Sequence, residues 1–199
     1  MMSDQVTGLI LAGGRGSRMG GVDKGLERFQ GEPMAVRAMV RLMPQVGDVV
    51  INANRNIGVY DSFGVTVLMD AIEGYQGPLA GMLAGLSYAE TPYLQAVPCD
   101  VPNFPMDLVQ RLLQAAVQEN AALAMPVTVE PDGRRQTHPV FLLMRADVHD
   151  SLLQYVTKGG RKIDQWTKTL DALEVEFPDS QAFFNVNTLD ELQELESRR

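Results

Sequence analysis

Between Leu11 and Lys24 the chain reads Leu-Ala-Gly-Gly-Arg-Gly-Ser-Arg-Met-Gly-Gly-Val-Asp-Lys. Those residue types at that spacing can hold a polyphosphate. Glycines let backbone N–H groups come close to phosphate oxygens and adopt turns that aim several of them at one anion. Arg18 offers a planar, bidentate cation and Lys24 a point charge. Two common phosphate-loop patterns do not fit. A Walker A loop requires Gly-Lys-Ser/Thr, but here Gly20 is followed by Gly21 and Lys24 by Gly25. A dinucleotide fingerprint laid on Gly14 and Gly16 puts Met19 where its third glycine belongs, which disfavours a nicotinamide oxidoreductase.

Other residues able to do chemistry stand singly along the chain. Asp100 lies in Pro98-Cys99-Asp100-Val101-Pro102, after an apolar run. A carboxylate at a strand end suits Mg²⁺, a hard cation shared with substrate phosphates. A turn-forming Asp explains it equally well. Cys99 has no histidine near in sequence and reads as a buried small apolar residue rather than a nucleophile. Asn52 and Asp70 also follow apolar runs, where Asn and Asp commonly serve as turn or cap residues. His138 precedes Pro139 and should be extended. Asn185 and Asn187 carry both donors and acceptors, although Asn187 also stands just ahead of a helix cap.

The elements that must position these residues alternate. Val6–Ala12 is an apolar run without polar alternation, as expected of a strand buried on both faces. A glycine-rich loop from Gly13 to about Gly25 follows it. Pro33 suits the first turn of a helix through PMAVRAMVRLM. Strands are predicted at Asp48–Asn52, Val65–Met69, Tyr93–Pro98 and Ala121–Val127, and helices from Gly77-Pro78 and over Pro105–Glu119. Glu130-Pro-Asp-Gly133 signals a turn between antiparallel strands, the second at Pro139–Leu143. Helices are expected near Ala146–Thr157 and Lys162–Thr169, and an edge strand at Leu173–Phe177. A last helix should start from the capping box Thr188-Leu-Asp-Glu191. This is the pattern of an α/β fold, Rossmann-like and doubly wound, with a mostly parallel central sheet flanked by helices. One domain over residues 1–199 is expected.

Composition narrows the function. With 199 residues, 45% hydrophobic and 21% charged, the chain is an ordinary folding sequence. A net charge of −8 argues against a general nucleic-acid binder. No apolar run is long enough to span a bilayer, and the N-terminus lacks a positive leader, so no membrane association is expected. One cysteine rules out an intrachain disulfide and a Cys/His metal cage, which favours the cytoplasm. Residues 1–41 nevertheless gather Arg15, Arg18, Lys24, Arg28, Arg37 and Arg41. A basic patch on an acidic chain suits a small anion. Arg28, Arg37 and Arg41 read as solvated helix-face charges.

The segment LAGGRGSRMGGVDKGL resembles the N-terminal signature of the molybdenum cofactor guanylyltransferases, the MobA family, within a wider nucleotidyltransferase group. The likeness continues in the same order through VVINANR at 49–55, GPLAGML at 77–83, PCDVP at 98–102, THP at 137–139 and FNVNT at 184–188. It implies a Mg²⁺-dependent transferase that joins GMP from GTP to the phosphate of molybdopterin. It implies a GTP site of Leu11, Ala12, Gly13, Gly14, Lys24, Asn52, Asp70, Gly77, Pro78, Leu79 and Asp100, with Arg18, Lys24 and Asp100 catalytic and Asp100 the metal ligand. Gly77-Pro78-Leu79 would wall the base. The nucleotide half would span about 1–103 and the acceptor half about 104–199. His138, Asn185 and Asn187 would belong to the pterin acceptor pocket, with Arg161 in Gly159-Gly160-Arg161-Lys162 at the acceptor phosphate. A monomer is expected, in transient contact with molybdenum cofactor biosynthesis proteins and molybdoenzyme apoproteins. The rivals are a sister cytidylyltransferase or sugar-phosphate nucleotidyltransferase and, from another class, a non-catalytic carrier of the finished cofactor.

Overall fold

Strand β1, Val6–Leu11, runs through the middle of the sheet, buried along all but its last residue. The computed structural model describes residues 2–14, 23–70, 72, 77–186 and 191. After β1 come a small hairpin of β2 (Arg28–Phe29) and β3 (Glu32–Pro33), then α1 (Met34–Leu42), β4 (Asp48–Asn52), α2 (Ile57–Asp61) and β5 (Thr66–Leu68). The chain continues through α3 (Pro78–Tyr88), β6 (Tyr93–Pro98), α4 (Leu108–Gln118), β7 (Leu123–Val129), β8 (Arg135–Thr137) and β9 (Leu143–Arg145). It proceeds with α5 (His149–Thr157), α6 (Ile163–Thr169) and β10 (Leu173–Phe177).

The strand order is β10-β7-β9-β6-β1-β4-β5, with β8 also on β7. β1 pairs in parallel with β4 and β6, β4 with β5, and β7 with β10. Among the described residues, β8 and β9 alone run antiparallel in this sheet. Strand order reverses around β1, and such a switch point leaves a crevice at the carboxyl ends of the strands.

Side chains alternate across the sheet. Val6 and Ile10 of β1 face a core built with Ala38 and Leu42 of α1 and Leu112 of α4, whereas Leu9 faces Leu83 of α3 and Trp166 of α6. α1 buries Met34, Ala35, Ala38 and Leu42, the stripe of a one-sided helix. Every residue of α3 from Leu79 to Leu86 is buried, because the helix is covered by α5 as well as the sheet.

Four details differ from the sequence reading. Pro33 ends β3 and stands just before α1, and the hairpin ahead of it turns on Gln30 and Gly31, both with positive φ. The short helix α2 was not foreseen. The antiparallel partner after the 130–133 turn is Arg135–Thr137, not Pro139–Leu143. Proline lacks the N–H a ladder needs, so the chain leaves the sheet at His138 and rejoins it at Leu143. Arg41 is not a solvated charge: its Nε donates to the Phe104 carbonyl at 2.7 Å and pins the segment after β6. The helix expected from Thr188 lies outside the described residues apart from Glu191.

Candidate active site

A cleft of about 850 Å³ opens over the switch point. Leu11–Gly14, Asn52, Asp70, Gly77-Pro78 and Pro98–Val101 line one side; Gln136–Phe141, Phe183 and Asn185 line the other. β9 separates β6 from β7 at the base, and the excursion 138–142 forms the far wall above it.

Two charges meet at the centre. Lys24, first residue of a 3-10 turn, reaches across the β1 end to Asp100, which follows β6. Its Nζ lies 3.1 Å from Asp100 Oδ2 and 3.3 Å from the carbonyl of Val186. Val186 N–H donates in turn to the Asp100 carbonyl at 2.9 Å. Val186 is fully buried against Phe29 and Met34, so residues far apart in sequence fasten the pair from above. Neighbouring Cys99 is buried; burial, then the charges of Asp100 and Asp23, push its thiol well above the ordinary range. It is a neutral thiol and no nucleophile.

The polar groups at the ends of β4 and β5 are preassembled. Asn52 Nδ2 donates to Asp70 Oδ1 at 3.0 Å and to the Leu68 carbonyl at 3.2 Å. Asp70 N–H donates to Asn54 Oδ1 at 2.9 Å. Burial pushes the Asp70 carboxyl up, and its side-chain hydrogen bonds with Asn52 and Asn54 pull part of that back. A Cβ at Gly13 would come within 2.8 Å of Asn54 Nδ2 and 2.9 Å of Asn52 Oδ1, so a larger residue there would displace these amides. On the far wall, His138 stacks flat on Phe183, with ring centroids 4.5 Å apart, and its Nε2 lies 2.9 Å from Thr128 Oγ1. Burial lowers its pKa, so the imidazole is neutral at pH 7.

Of the residues singled out from sequence, Leu11, Ala12, Gly13, Gly14, Lys24, Asn52, Asp70, Gly77, Pro78, Asp100, His138 and Asn185 line this one cleft. Leu79 does not: its side chain is fully buried between α3 and the sheet. Arg161 is exposed ahead of α6 and is not part of the lining. Arg18 and Asn187 fall outside the described residues. Sequence reasoning missed Thr128, Phe183 and Val186. A second constellation, on the surface, has triad-like spacing: Ser87 Oγ is 3.1 Å from His149 Nε2, and His149 Nδ1 is 3.0 Å from Asp150. The serine proton is donated to the Leu83 carbonyl at 2.9 Å. That carbonyl competes with the imidazole for the one serine proton, and the three residues lie outside the cleft.

Comparison with known proteins agrees with this geometry. The model of the MobA-like NTP transferase domain matches residues 8–173. The chain is 58% identical over 195 residues to a molybdenum cofactor guanylyltransferase of Cupriavidus taiwanensis, covering 98% of each. It is 56% identical over 201 residues to one of Ralstonia nicotianae, covering 99% of this chain and 98% of that protein. Among solved structures, molybdopterin-guanine dinucleotide biosynthesis protein A of Archaeoglobus fulgidus shares the fold with a TM-score of 0.79 at 18% identity, covering 96% and 97% of the two chains. A CMP:2-keto-3-deoxy-manno-octonic acid synthetase complexed with CTP does so at 0.77 and 14%, covering 98% of each. A family match over most of the length and relatives more than half identical leave one assignment: the chain belongs to the MobA-like NTP transferase family, that of the molybdenum cofactor guanylyltransferases.

Proposed function

We propose that this protein is a cytoplasmic nucleotidyltransferase of molybdenum cofactor biosynthesis. It transfers GMP from GTP to the phosphate of molybdopterin and releases pyrophosphate. The observation that carries the reading is the Lys24–Asp100 pair at the switch-point crevice: a phosphate-binding cation and a metal-binding carboxylate at one spot. The backbone of Gly13–Gly16 and the side chains of Arg18 and Lys24 take the triphosphate. Asn52, Asp70, Gly77 and Pro78 take the nucleoside. His138, Asn185 and Asn187 bind the pterin. The nucleotide half is residues 1–103 and the acceptor half 104–199 of one domain. The protein acts as a monomer, in transient contact with other biosynthesis proteins and molybdoenzyme apoproteins.

The donor set suits magnesium in a particular way. Among the described residues no group of three or more His, Cys, Asp or Glu could hold a metal. Mg²⁺ commonly uses one or two carboxylates and completes its shell with water and substrate phosphates. Asp100 therefore fits an ion that arrives with the nucleotide. When bound there, Mg²⁺ neutralises charge on the phosphate oxygens.

The residues then act by placement. Lys24 exchanges Asp100 for a phosphate oxygen, which frees the carboxylate. The acceptor's phosphate monoester has a second pKa near ~6 and is already mostly dianionic at neutral pH. One of its oxygens bonds to the α-phosphorus as the bond to pyrophosphate breaks. No proton is removed, so no general base is needed, and catalysis is positioning plus electrostatic stabilisation.

The test is incubation of the purified protein with molybdopterin, Mg²⁺ and each nucleoside triphosphate, following pyrophosphate and dinucleotide. GTP should be used in preference to CTP and ATP. Lys24→Ala and Asp100→Ala should each lower turnover by roughly 10²-fold. Near-normal product from Asp100→Ala in excess Mg²⁺ would refute the proposed chemistry. Preference for CTP would select the sister reaction, and absence of pyrophosphate a carrier.

A further inference from the structure

Asp23 stands immediately before Lys24, at the N-terminal boundary of a 3-10 turn, where an Asp side chain ordinarily caps. It makes no cap there. Its main-chain carbonyl holds the turn by accepting from Leu26 N–H at 3.0 Å. Its carboxylate points away, into α2. There it accepts from the Tyr60 hydroxyl at 2.6 Å and from Asn56 Nδ2 at 2.9 Å, with Arg55 Nε 3.6 Å away. The carboxylate is 6% exposed and Tyr60 is fully buried. Arg55 reaches in the other direction, from its NH2 group to the Gly14 carbonyl at 3.2 Å.

Residues 55–60 thus grip both sides of the phosphate-binding region, Gly14 before the 15–22 segment and Asp23 after it. A buried carboxylate that accepts two hydrogen bonds and has a guanidinium 3.6 Å away is anchored far more strongly than a surface turn needs. What it anchors is the backbone of Lys24. We propose that Asp23, Tyr60 and Arg55 form a staple that sets the positions of Lys24 and Gly14, and that they are positioning residues for nucleotidyl transfer. The assignment rests on the nucleotidyltransferase reading above but goes beyond it, because none of the three lines the cleft.

The experiment compares Tyr60→Phe and Asp23→Asn with wild type at a temperature where all are folded. It measures kcat, GTP affinity and the rate at which an acylating reagent modifies Lys24 without substrate, followed by mass spectrometry. Asp100→Asn serves as the control with Lys24 released. The staple predicts faster Lys24 modification in both variants. It also predicts kcat about 10-fold lower with GTP affinity changed much less, since small misplacements at a reacting centre can cost up to roughly 10²-fold. A purely structural role would lower the melting temperature and leave kcat per folded molecule intact. If folded Tyr60→Phe and Asp23→Asn both match wild type in Lys24 modification and kcat, the staple is wrong. If wild type itself has no turnover with GTP, the functional reading fails, and the modification rate alone decides the staple.

Discussion

The half-buried carboxyl of Asp70 is a residue whose charge works against the fold. Burial raises its pKa above the value of an unfolded chain, about 3.9. A raised acid contributes fully to stability below the unfolded value and loses that contribution as pH rises through the folded one. At neutral pH the ionised group is therefore a net liability. Asp70→Asn keeps an acceptor for Asn52 and should raise the melting temperature of the free protein at pH 7.5, by less at pH 5, while weakening GTP binding. Thermal unfolding at both pH values and a nucleotide titration check this; a lower melting temperature at pH 7.5 would contradict it. Residues of this kind were legible because Gly13, Asn52, Asp70 and Asp100 each sit where a strand ends and the chain turns polar, and Lys24 closes the glycine-rich segment after β1. Tyr60 and Val186 were not. Tyr60 meets Asp23 across 37 positions and Val186 meets Lys24 across 162, and each reads in sequence as one more apolar residue.

At the scale of elements, α3 comes unusually close to the ends of β1 and β4. A Cβ at Gly81 would overlap the Asn52 amide and press on Leu11. Gly81→Ala must push the helix away or rotate Asn52 off Asp70. Overpacking of this sort costs about 1–3 kcal/mol. The variant should melt lower and show a raised KM for GTP with a smaller change in kcat; an unchanged KM would mean that Asn52 does not contact the nucleotide. Long periodic segments such as β1, α1, α3 and α4 were recognisable because burial on one or both faces writes itself into the sequence. The run Pro139–Leu143 was misleading for a physical reason. Its apolar residues do pack inward, Phe141 against Phe104 and Phe183, but over a break in the strand rather than within a ladder. The hairpin of β2 and β3 escaped notice because Gln30 takes a left-handed conformation usually filled by Gly or Asn.

For the molecule as a whole, binding and stability are linked. A ligand that binds only the folded state at 100 times its Kd adds about 2.7 kcal/mol. For a chain of this size that is roughly 5–10 °C in melting temperature. GTP with Mg²⁺ should produce such a shift in thermal unfolding, CTP and ATP a clearly smaller one; equal shifts with all three would remove the case for guanine selectivity. No helix among the described residues is long and apolar enough to cross a membrane. The hold of Val186 on Lys24 and Asp100 has a consequence for how the molecule is made. During synthesis the ribosome delivers Lys24 and Asp100 well before residue 186. A growing chain can assemble its first strands and still lack the clasp over their charges, so competence is among the last properties it acquires.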